Sequence, residues 1–176
     1  GEVGELAPAT VMAEVFGCIS GDITATLGDK MAAFRCGDSE VWCRVYEGLF
    51  PDYVKAGAGA TDGADSEVTI PVEPLLNAVK LAMVTTSEES SGINLTVGGG
   101  VLLVESAAAD KGESRSEIPV ACDAPAELCL DSKLLIDFLK RVQTGQSVTL
   151  WYGDSSGVQF DYGPVKTILM TLARGE

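Results

Sequence analysis

The residue types that most often carry catalysis are scarce in this sequence. There is no histidine among its 176 residues, so Ser-His and Cys-His nucleophile pairs and His-containing metal sites cannot form. The five cysteines include no Cys-x-x-Cys motif, and the Cys36/Cys43 and Cys122/Cys129 spacings are unusual for zinc. We expect cysteines in strands of the core, a reducing compartment, and no metal.

Two further motifs could do chemistry but have simpler interpretations. Gly98 to Gly100 join two β-rich runs, whereas a phosphate-binding loop would join a strand to a helix, so they predict a hairpin turn. Asp29 and Asp154 each follow a glycine in a predicted turn, where aspartate is favoured for local backbone hydrogen bonds. We therefore expect no catalytic residues and no cofactor, and predict that the protein is not an enzyme.

Charge argues at first against a nucleic-acid partner. The chain carries 26 acidic and 12 basic residues, a formal net charge of −14, whereas affinity for phosphate comes from clustered Lys and Arg. On predicted outward helix faces, however, lie Lys80, Lys133, Lys140 and Arg141. A solvated helix surface explains any one of them, and only a ring of such helices would produce a useful positive field.

Hydropathy gives no sign of export or of a membrane span. No apolar run approaches 18 residues, and the opening GEVGELAPAT lacks a charged-then-apolar signal pattern. We expect a cytoplasmic protein with no membrane partner. Because the first residue is Gly rather than Met, we also expect a trimmed or partial chain.

The elements that would position any site come in three similar repeats. Each repeat reads as a short extended piece, an amphipathic helix and three strands. In the first and third, the helix is predicted to end at a glycine, Gly21 or Gly145, and a Gly-Asp turn follows between strands. The helical residues predicted to face inward are Val11, Met12, Val15, Phe16 and Ile19, then Leu75, Leu76, Val79 and Met83, then Leu134, Leu135, Phe138, Leu139 and Val142.

Domain boundaries follow from these repeats and from one stretch of small residues. The run AGAGATDGADS, rich in Ala, Gly and Asp, has the composition of a linker. The sequence therefore predicts an α+β protein with a domain at 1–56, a linker at 57–66 and a second domain at 67–176. The first domain would hold one repeat and the second domain two.

One segment resembles a known family. YEGLFPDYVK, from Tyr46 to Lys55, is similar to the GxFPDY segment that closes the second domain of the bacterial DNA polymerase III β sliding clamp. The later segments SEIPV, AELCLDSKLLIDFLKRV, SVTLWYGDSSGVQFDY and TILMTLARGE resemble the third domain of that family in the same order. The resemblance covers essentially the whole chain.

The resemblance implies a DNA-clamp fold of βαβββ units, with helices on the inner face of a ring and antiparallel sheets outside. Residues 1–56 would be the C-terminal half of a second clamp domain and residues 67–176 a complete third domain. The first domain and the front half of the second have no counterpart here, so the first repeat lacks its sister. We expect this half-domain to pair with a second copy of the chain, in a homodimer.

The function implied by the resemblance is that of a processivity subunit without catalysis of its own. Its ring encircles duplex DNA without sequence specificity, and its DNA-facing residues here would be Lys80, Lys133, Lys140 and Arg141. A groove would bind short peptide motifs of the polymerase, the clamp loader and repair polymerases. The matching groove residues are Pro51, Lys55, Ala56, Ser155, Gly157, Val158, Ile168, Leu169, Met170, Thr171 and Leu172, with an apolar floor from Ile168, Leu169 and Met170.

This chain departs from the family pattern in two places. Thr171 and Ala173 stand where the family usually has proline and arginine, and the Gly-His-Arg type loop that forms the second-domain wall of the groove is not in the sequence. Two alternatives therefore stay open. One is a clamp-derived interaction module that binds peptides without encircling DNA, and the other is an unrelated α+β structural domain whose sheets would lack a pseudo-dyad.

Overall fold

The chain forms two compact bodies. In the computed structural model, residues 22–45, 52–87, 90–122 and 124–173 are described. The N-terminal body is Gly1–Tyr53 and the C-terminal body is Val54–Glu176. The helix predicted at 11–19, its ending at Gly21, and Pro51 all lie outside the described residues.

In the N-terminal body, the described strands form one antiparallel meander. It consists of β1 (Thr24–Leu27), β2 (Met31–Cys36) and β3 (Ser39–Arg44), in the order β1-β2-β3. Gly37 has a φ of 54°, a left-handed conformation that suits glycine in the tight turn between β2 and β3. The inward face is apolar, with Ala32, Phe34 and Cys43 buried together.

The C-terminal body holds the other two repeats. Its described elements, in chain order, are α1 (Tyr53–Ala60), β4 (Ser66–Pro71), α2 (Val72–Val84), β5 (Gly92–Gly98), β6 (Val101–Ala108), β7 (Gly112–Pro119), β8 (Ala126–Asp131), α3 (Ser132–Leu139), β9 (Ser147–Tyr152), β10 (Gly157–Tyr162) and β11 (Val165–Met170). The segment expected to be a linker, 57–66, is therefore helical as far as Ala60 and enters β4 at Ser66.

The two repeats of the C-terminal body exchange their first strands. One sheet has the order β11-β10-β9-β4 and the other β7-β6-β5-β8. Strand β4, the first strand of one repeat, therefore pairs with β9 of the other repeat, and β8, the first strand of that other repeat, pairs with β5. The exchanged strands are paired antiparallel over six residues each. This reciprocal pairing relates the two repeats by a pseudo-dyad, which excludes the alternative of an unrelated α+β domain that lacks one.

Matching hydrogen bonds repeat this symmetry at the two helix starts. The N–H of Val72, first in α2, donates to the carbonyl of Gln146, just before β9, at 2.9 Å. The N–H of Ser132, first in α3, donates to the carbonyl of Ser91, just before β5, also at 2.9 Å. Each helix thus begins tied to the meander of the other repeat, which satisfies an amide that has no partner within its own helix.

A single core joins both sheets to α2 and α3. The apolar residues Leu75 and Val79 of α2, and Leu135 and Leu139 of α3, are buried in it. The rings of Phe138 and Phe160 lie 5.6 Å apart between centroids at 45°. The four-residue spacing within each helix turns one face to the core, as the sequence predicted.

Three details of the helices differ from the prediction. Met83 and Leu134, predicted to face inward, are 37% and 55% exposed. In α3 the buried face runs through Leu135, Ile136 and Leu139, so the helix is rotated and Leu134 points to solvent. The helix also ends at Leu139, well before Gly145, whose φ of 80° belongs to the turn ahead of β9.

The predicted turn and cysteine positions are largely confirmed. Gly99 and Gly100, with φ of 60° and 82°, connect β5 to β6 as a hairpin. Cys43 is buried in β3, and Cys36 and Cys129 are half-buried in strands. Cys122 is half-buried but makes only an isolated bridge with Val68, outside the named strands.

Candidate peptide groove and helix surface

Most of the predicted groove residues lie on three neighbouring segments of the C-terminal body. These are α1, the turn between β9 and β10, and strand β11 with the residues after it. Lys55 and Ala56 are exposed on α1, Ser155 and Gly157 lie in or beside the turn, and Met170 ends β11. Pro51 lies outside the described residues, so the predicted set is placed without it.

The turn is bonded to both other segments through Ser156. The Ser156 hydroxyl donates to the carbonyl of Ala60, the last residue of α1, at 3.4 Å. The Ser156 carbonyl accepts the Thr171 amide at 3.0 Å and the Thr171 hydroxyl at 2.9 Å. Ser155 closes the turn by donating to the carbonyl of Gly157 at 2.7 Å. These bonds hold the end of α1 and the end of β11 to one turn.

Glycines allow the close approach between these segments. A Cβ on Gly57 of α1 would lie 2.8 Å from Cδ1 of Ile168 on β11. A Cβ on Gly157 would lie 3.1 Å from the carbonyl oxygen of Leu169 and 3.3 Å from that of Ala60. Helix α1, which the sequence reasoning missed, therefore packs directly against the predicted groove strand. The signal was weak, because alternating Ala and Gly show no helical apolar period.

Strand β11 separates the predicted floor residues onto two faces. Ile168 and Met170 share the face toward α1, and Met170 is 54% exposed. Leu169 points to the opposite face and is buried in the core, as is Val158. Buried side chains can support a peptide site but do not offer it surface. The exposed apolar side chains at the end of β11 are therefore Met170 and Leu172, the latter 38% exposed, while Ile168 is half-buried.

Leu172, the second residue after β11, also connects the two sheets. The amide of Leu172 donates to the carbonyl of Cys129 in β8 at 2.8 Å, although β8 belongs to the other sheet. The chain thus leaves β11 and crosses toward β8, which positions Thr171 and Leu172 against both repeats.

A second depression lies on the other side of β11. It is a cavity of about 510 Å³ between α3 and the β10–β11 hairpin. Its apolar lining includes Leu134, Phe138, Val165 and Leu169, and Arg141 lies at its edge. None of its lining is shared with the α1 side of the strand, so β11 has one open apolar patch on each face.

The predicted DNA-facing cations all lie on the surface of the two core helices. Lys80 is on α2, Lys133 is in the first turn of α3, and Lys140 and Arg141 follow the last turn of α3; all four are exposed. Residues 131–142 contain three basic residues and two acids, Asp131 and Asp137, a local net charge of +1 (3 − 2) in a chain of −14. The segment that holds α3 is therefore slightly positive in an otherwise acidic protein.

The described part of the chain contains neither a cluster of metal ligands nor a helix that could span a membrane. No group of three or more Cys, Asp or Glu side chains in ranges 22–45, 52–87, 90–122 and 124–173 is arranged to hold a metal ion. Within those ranges, no helix combines the length and the hydropathy needed to cross a bilayer.

Comparison with known structures gives the class of the fold. No family model and no curated protein sequence matches the chain. Among solved structures, the chain matches bacterial DNA sliding clamps. The chain has the sliding-clamp fold, in three repeats or about one and a half clamp domains.

The particular protein it resembles is the bacterial DNA polymerase III β subunit. The clamp from Borrelia burgdorferi, solved with a natural product, matches with a TM-score of 0.80 at 12% identity, over 99% of this chain and 48% of that one. The clamp from Pseudomonas aeruginosa, solved with a ligand, has a TM-score of 0.76 at 20% identity. The clamp from Bartonella birtlesii, bound to griselimycin, has a TM-score of 0.76 at 17% identity. The last two matches each cover 93% of this chain and 45% of the other, so this chain spans less than half of each relative.

Proposed function

We propose that this chain is part of a DNA sliding clamp, a non-catalytic ring component that encircles duplex DNA and tethers the replicative polymerase in the cytoplasm as a homodimer. The observation that carries the proposal is the reciprocal exchange of β4 and β8, in a chain that matches a sliding-clamp structure over nearly its whole length. In such a ring, enclosure holds the DNA, so a few cations on the inner wall suffice. This is compatible with a net charge of −14.

The peptide-binding part of this proposal rests on the surface between α1 and β11. Met170 and Leu172 offer exposed apolar area there, and the bonds through Ser156 hold the surrounding segments in place. A preformed apolar surface loses little entropy when it receives an apolar anchor such as Leu or Phe. Micromolar affinity requires about −8 kcal/mol, which two buried anchors and a few main-chain hydrogen bonds can supply.

A titration with matched variants tests the groove. A fluorescent peptide of the Gln-Leu-x-Leu-Phe type is titrated against the unchanged chain, Met170→Asp and Val165→Asp. Both residues lie on β11 with similar exposure, 54% and 49%, but on opposite faces. We expect Met170→Asp to weaken binding at least tenfold and Val165→Asp to leave it within twofold. Equal affinities for all three proteins, or no binding by any, would remove the groove assignment.

A second candidate function is an interaction module that binds peptides but does not enclose DNA. It is favoured by the exposed apolar side chains of Met170 and Leu172, which lie within the C-terminal body and need no closed ring to bind a peptide. Retention on nicked circular duplex DNA separates the two functions. A closed ring stays on the circle and is lost when the circle is cut to a linear form, whereas a module is retained on neither.

A further inference from the structure

Helix α1 lies over part of the strand face that the proposed groove would use. Its Gly57 approaches Ile168 of β11 so closely that an added Cβ would lie 2.8 Å from Cδ1 of that side chain. Two residues further along the same face of β11, Met170 is 54% exposed, whereas Ile168 is half-buried. The helix therefore covers one apolar side chain of this face and leaves its neighbour open.

The contact that holds α1 on β11 is made by small residues. Gly57 is half-buried, and Ala60, one turn later, is buried. A Cβ on Gly157 would lie 3.4 Å from the Cβ of Ala60, so the backbones approach closely with only one methyl group between them. Because the hydrophobic effect grows with the apolar area removed from water, this contact stabilises the closed position only weakly. The exposed residues of the helix are Val54, Lys55, Ala56, Ala58 and Gly59.

The helix is also weak in itself. It has eight residues, fewer than an isolated helix needs in water, and two of them are glycines. It has no acidic residue in its first turn and no basic residue in its last turn, so it lacks the charges that favour the helix dipole. Its end is closed by the Gly57 carbonyl, which accepts the amide and the hydroxyl of Thr61, each at 3.1 Å. We therefore expect α1 to open locally at a lower free energy than the sheet beneath it.

We propose that α1 is a strap that closes over Ile168 and opens when an apolar side chain of a peptide binds to β11. In the closed form, which the structure shows, Met170 is open to an anchor and Ile168 is not. In the open form, both side chains line one continuous apolar face. Opening breaks the long 3.4 Å bond from Ser156 to Ala60 and leaves the two Thr171 bonds intact.

The strap sets how much affinity a peptide can reach. Some of the binding free energy is used to open α1, so the apparent affinity is reduced by the fraction of molecules in the open form. Any change that stabilises the helix should weaken peptide binding, and any change that destabilises it should strengthen binding. This inference rests on the proposed peptide-binding function and concerns the regulation of that same site.

Two substitutions on the exposed side of α1 shift the balance in opposite directions. Ala58→Gly weakens the helix, and Gly59→Ala strengthens it, since a Cβ at Gly59 meets nothing within 4 Å. Each exchange of Ala and Gly is equivalent to about fivefold in the opening equilibrium, or about 1 kcal/mol. We expect Ala58→Gly to bind a fluorescent Gln-Leu-x-Leu-Phe peptide about fivefold more tightly than the unchanged chain. Gly59→Ala should bind it about fivefold more weakly.

Hydrogen exchange measures the opening itself. Without peptide, the Thr61 amide and the amides of α1 should exchange at least about a hundredfold faster than those of β10, which lies between β9 and β11. Ala58→Gly should speed this exchange and Gly59→Ala should slow it, with β10 unchanged in both variants. Saturating peptide should speed the exchange of α1, because the bound form is the open one. A ligand that only covers the helix would slow it.

A matched control and two contrary outcomes complete the test. Asn77→Gly lowers helix propensity at an exposed position of α2 and should leave peptide affinity and α1 exchange within twofold. If all variants bound the peptide equally, or if peptide slowed the exchange of α1, the strap would be overturned while the groove would stand. If no variant bound the peptide, the groove of the proposed function would fail and the strap with it.

Discussion

Thr171 donates two hydrogen bonds to a single acceptor, the carbonyl oxygen of Ser156, with its amide at 3.0 Å and its hydroxyl at 2.9 Å. This pair ties the end of β11 to the β9–β10 turn, and Ser156 in turn reaches Ala60 at the end of α1. The relationship explains how a site can form from three segments far apart in sequence.

Two substitutions at Thr171 measure the contributions of its hydroxyl and amide hydrogen bonds separately. Thr171→Val removes the hydroxyl and keeps the amide, so we expect a loss of about 0.5–1 kcal/mol, the low end for a hydrogen bond because Thr171 is half-exposed. Thr171→Pro removes both donors and should cost about 1–3 kcal/mol. Urea unfolding followed by circular dichroism measures both. Equal stabilities for the two variants would show that the amide bond contributes nothing.

Two glycines of α1 are predicted to differ in how much an added Cβ stabilises the helix. A Cβ on Gly59 meets nothing within 4 Å, so Gly59→Ala should stabilise the helix by about 0.5–1 kcal/mol. Gly57→Ala gains the same propensity but places its Cβ 2.8 Å from Cδ1 of Ile168, which must move away, so it should stabilise the helix less than Gly59→Ala. The midpoint of thermal unfolding compares the two variants. Equal stabilisation by both changes would contradict the packing of α1 against β11.

The start of α3 depends on one side chain. Asp131 accepts hydrogen bonds from the amides of Lys133 at 2.8 Å and Leu134 at 3.2 Å. Asp131→Ala should therefore cost about 1 kcal/mol, the typical value of an N-cap. Asp137→Ala removes a carboxylate from the middle of the same helix and serves as the control, with an expected change of less than about 0.5 kcal/mol. Chemical denaturation compares the two, and equal losses would rule out capping.

DNA retention should depend on the cations after α3. Charge reversal of Lys140 and Arg141 together should weaken binding to duplex DNA at low salt. It should also lower the slope of log K against log salt by about 0.9 for each phosphate that the protein no longer neutralises. Fluorescence anisotropy over a salt series measures this. The matched control reverses Arg115 and Lys166, which lie on strands β7 and β11 and carry the same charge. If both double variants gave the same slope, the surface of α2 and α3 would not be the one that faces DNA.

Local patterns predicted much of this fold. The helical spacing of Leu75 and Val79 and the glycines between β5 and β6 predict a helix and a hairpin at the places where they occur. The pseudo-dyad, by contrast, was implied by the family resemblance and not by the repeats alone. Leu134 was misplaced because a four-residue period tolerates a rotation by one position, and the packing of Ile136 settles which face is buried.

The candidate site could be predicted less completely from local patterns in the sequence. Ser155 and Met170 came from a resemblance, and helix α1 was missed although it packs on Ile168. Whether these residues bind peptide remains a prediction that the titration with Met170→Asp addresses.

By itself, the sequence determined the kinds and the order of the elements other than α1, because a side-chain period of two or of about 3.6 residues is a local property of the chain. The tertiary structure decided which strands pair, so that β4 completes the sheet of β9 and β8 that of β5. It also decided that Leu169 is buried while its neighbour Met170 is open. The physical reason is that pairing and burial depend on contacts between residues distant in sequence, which no local period encodes.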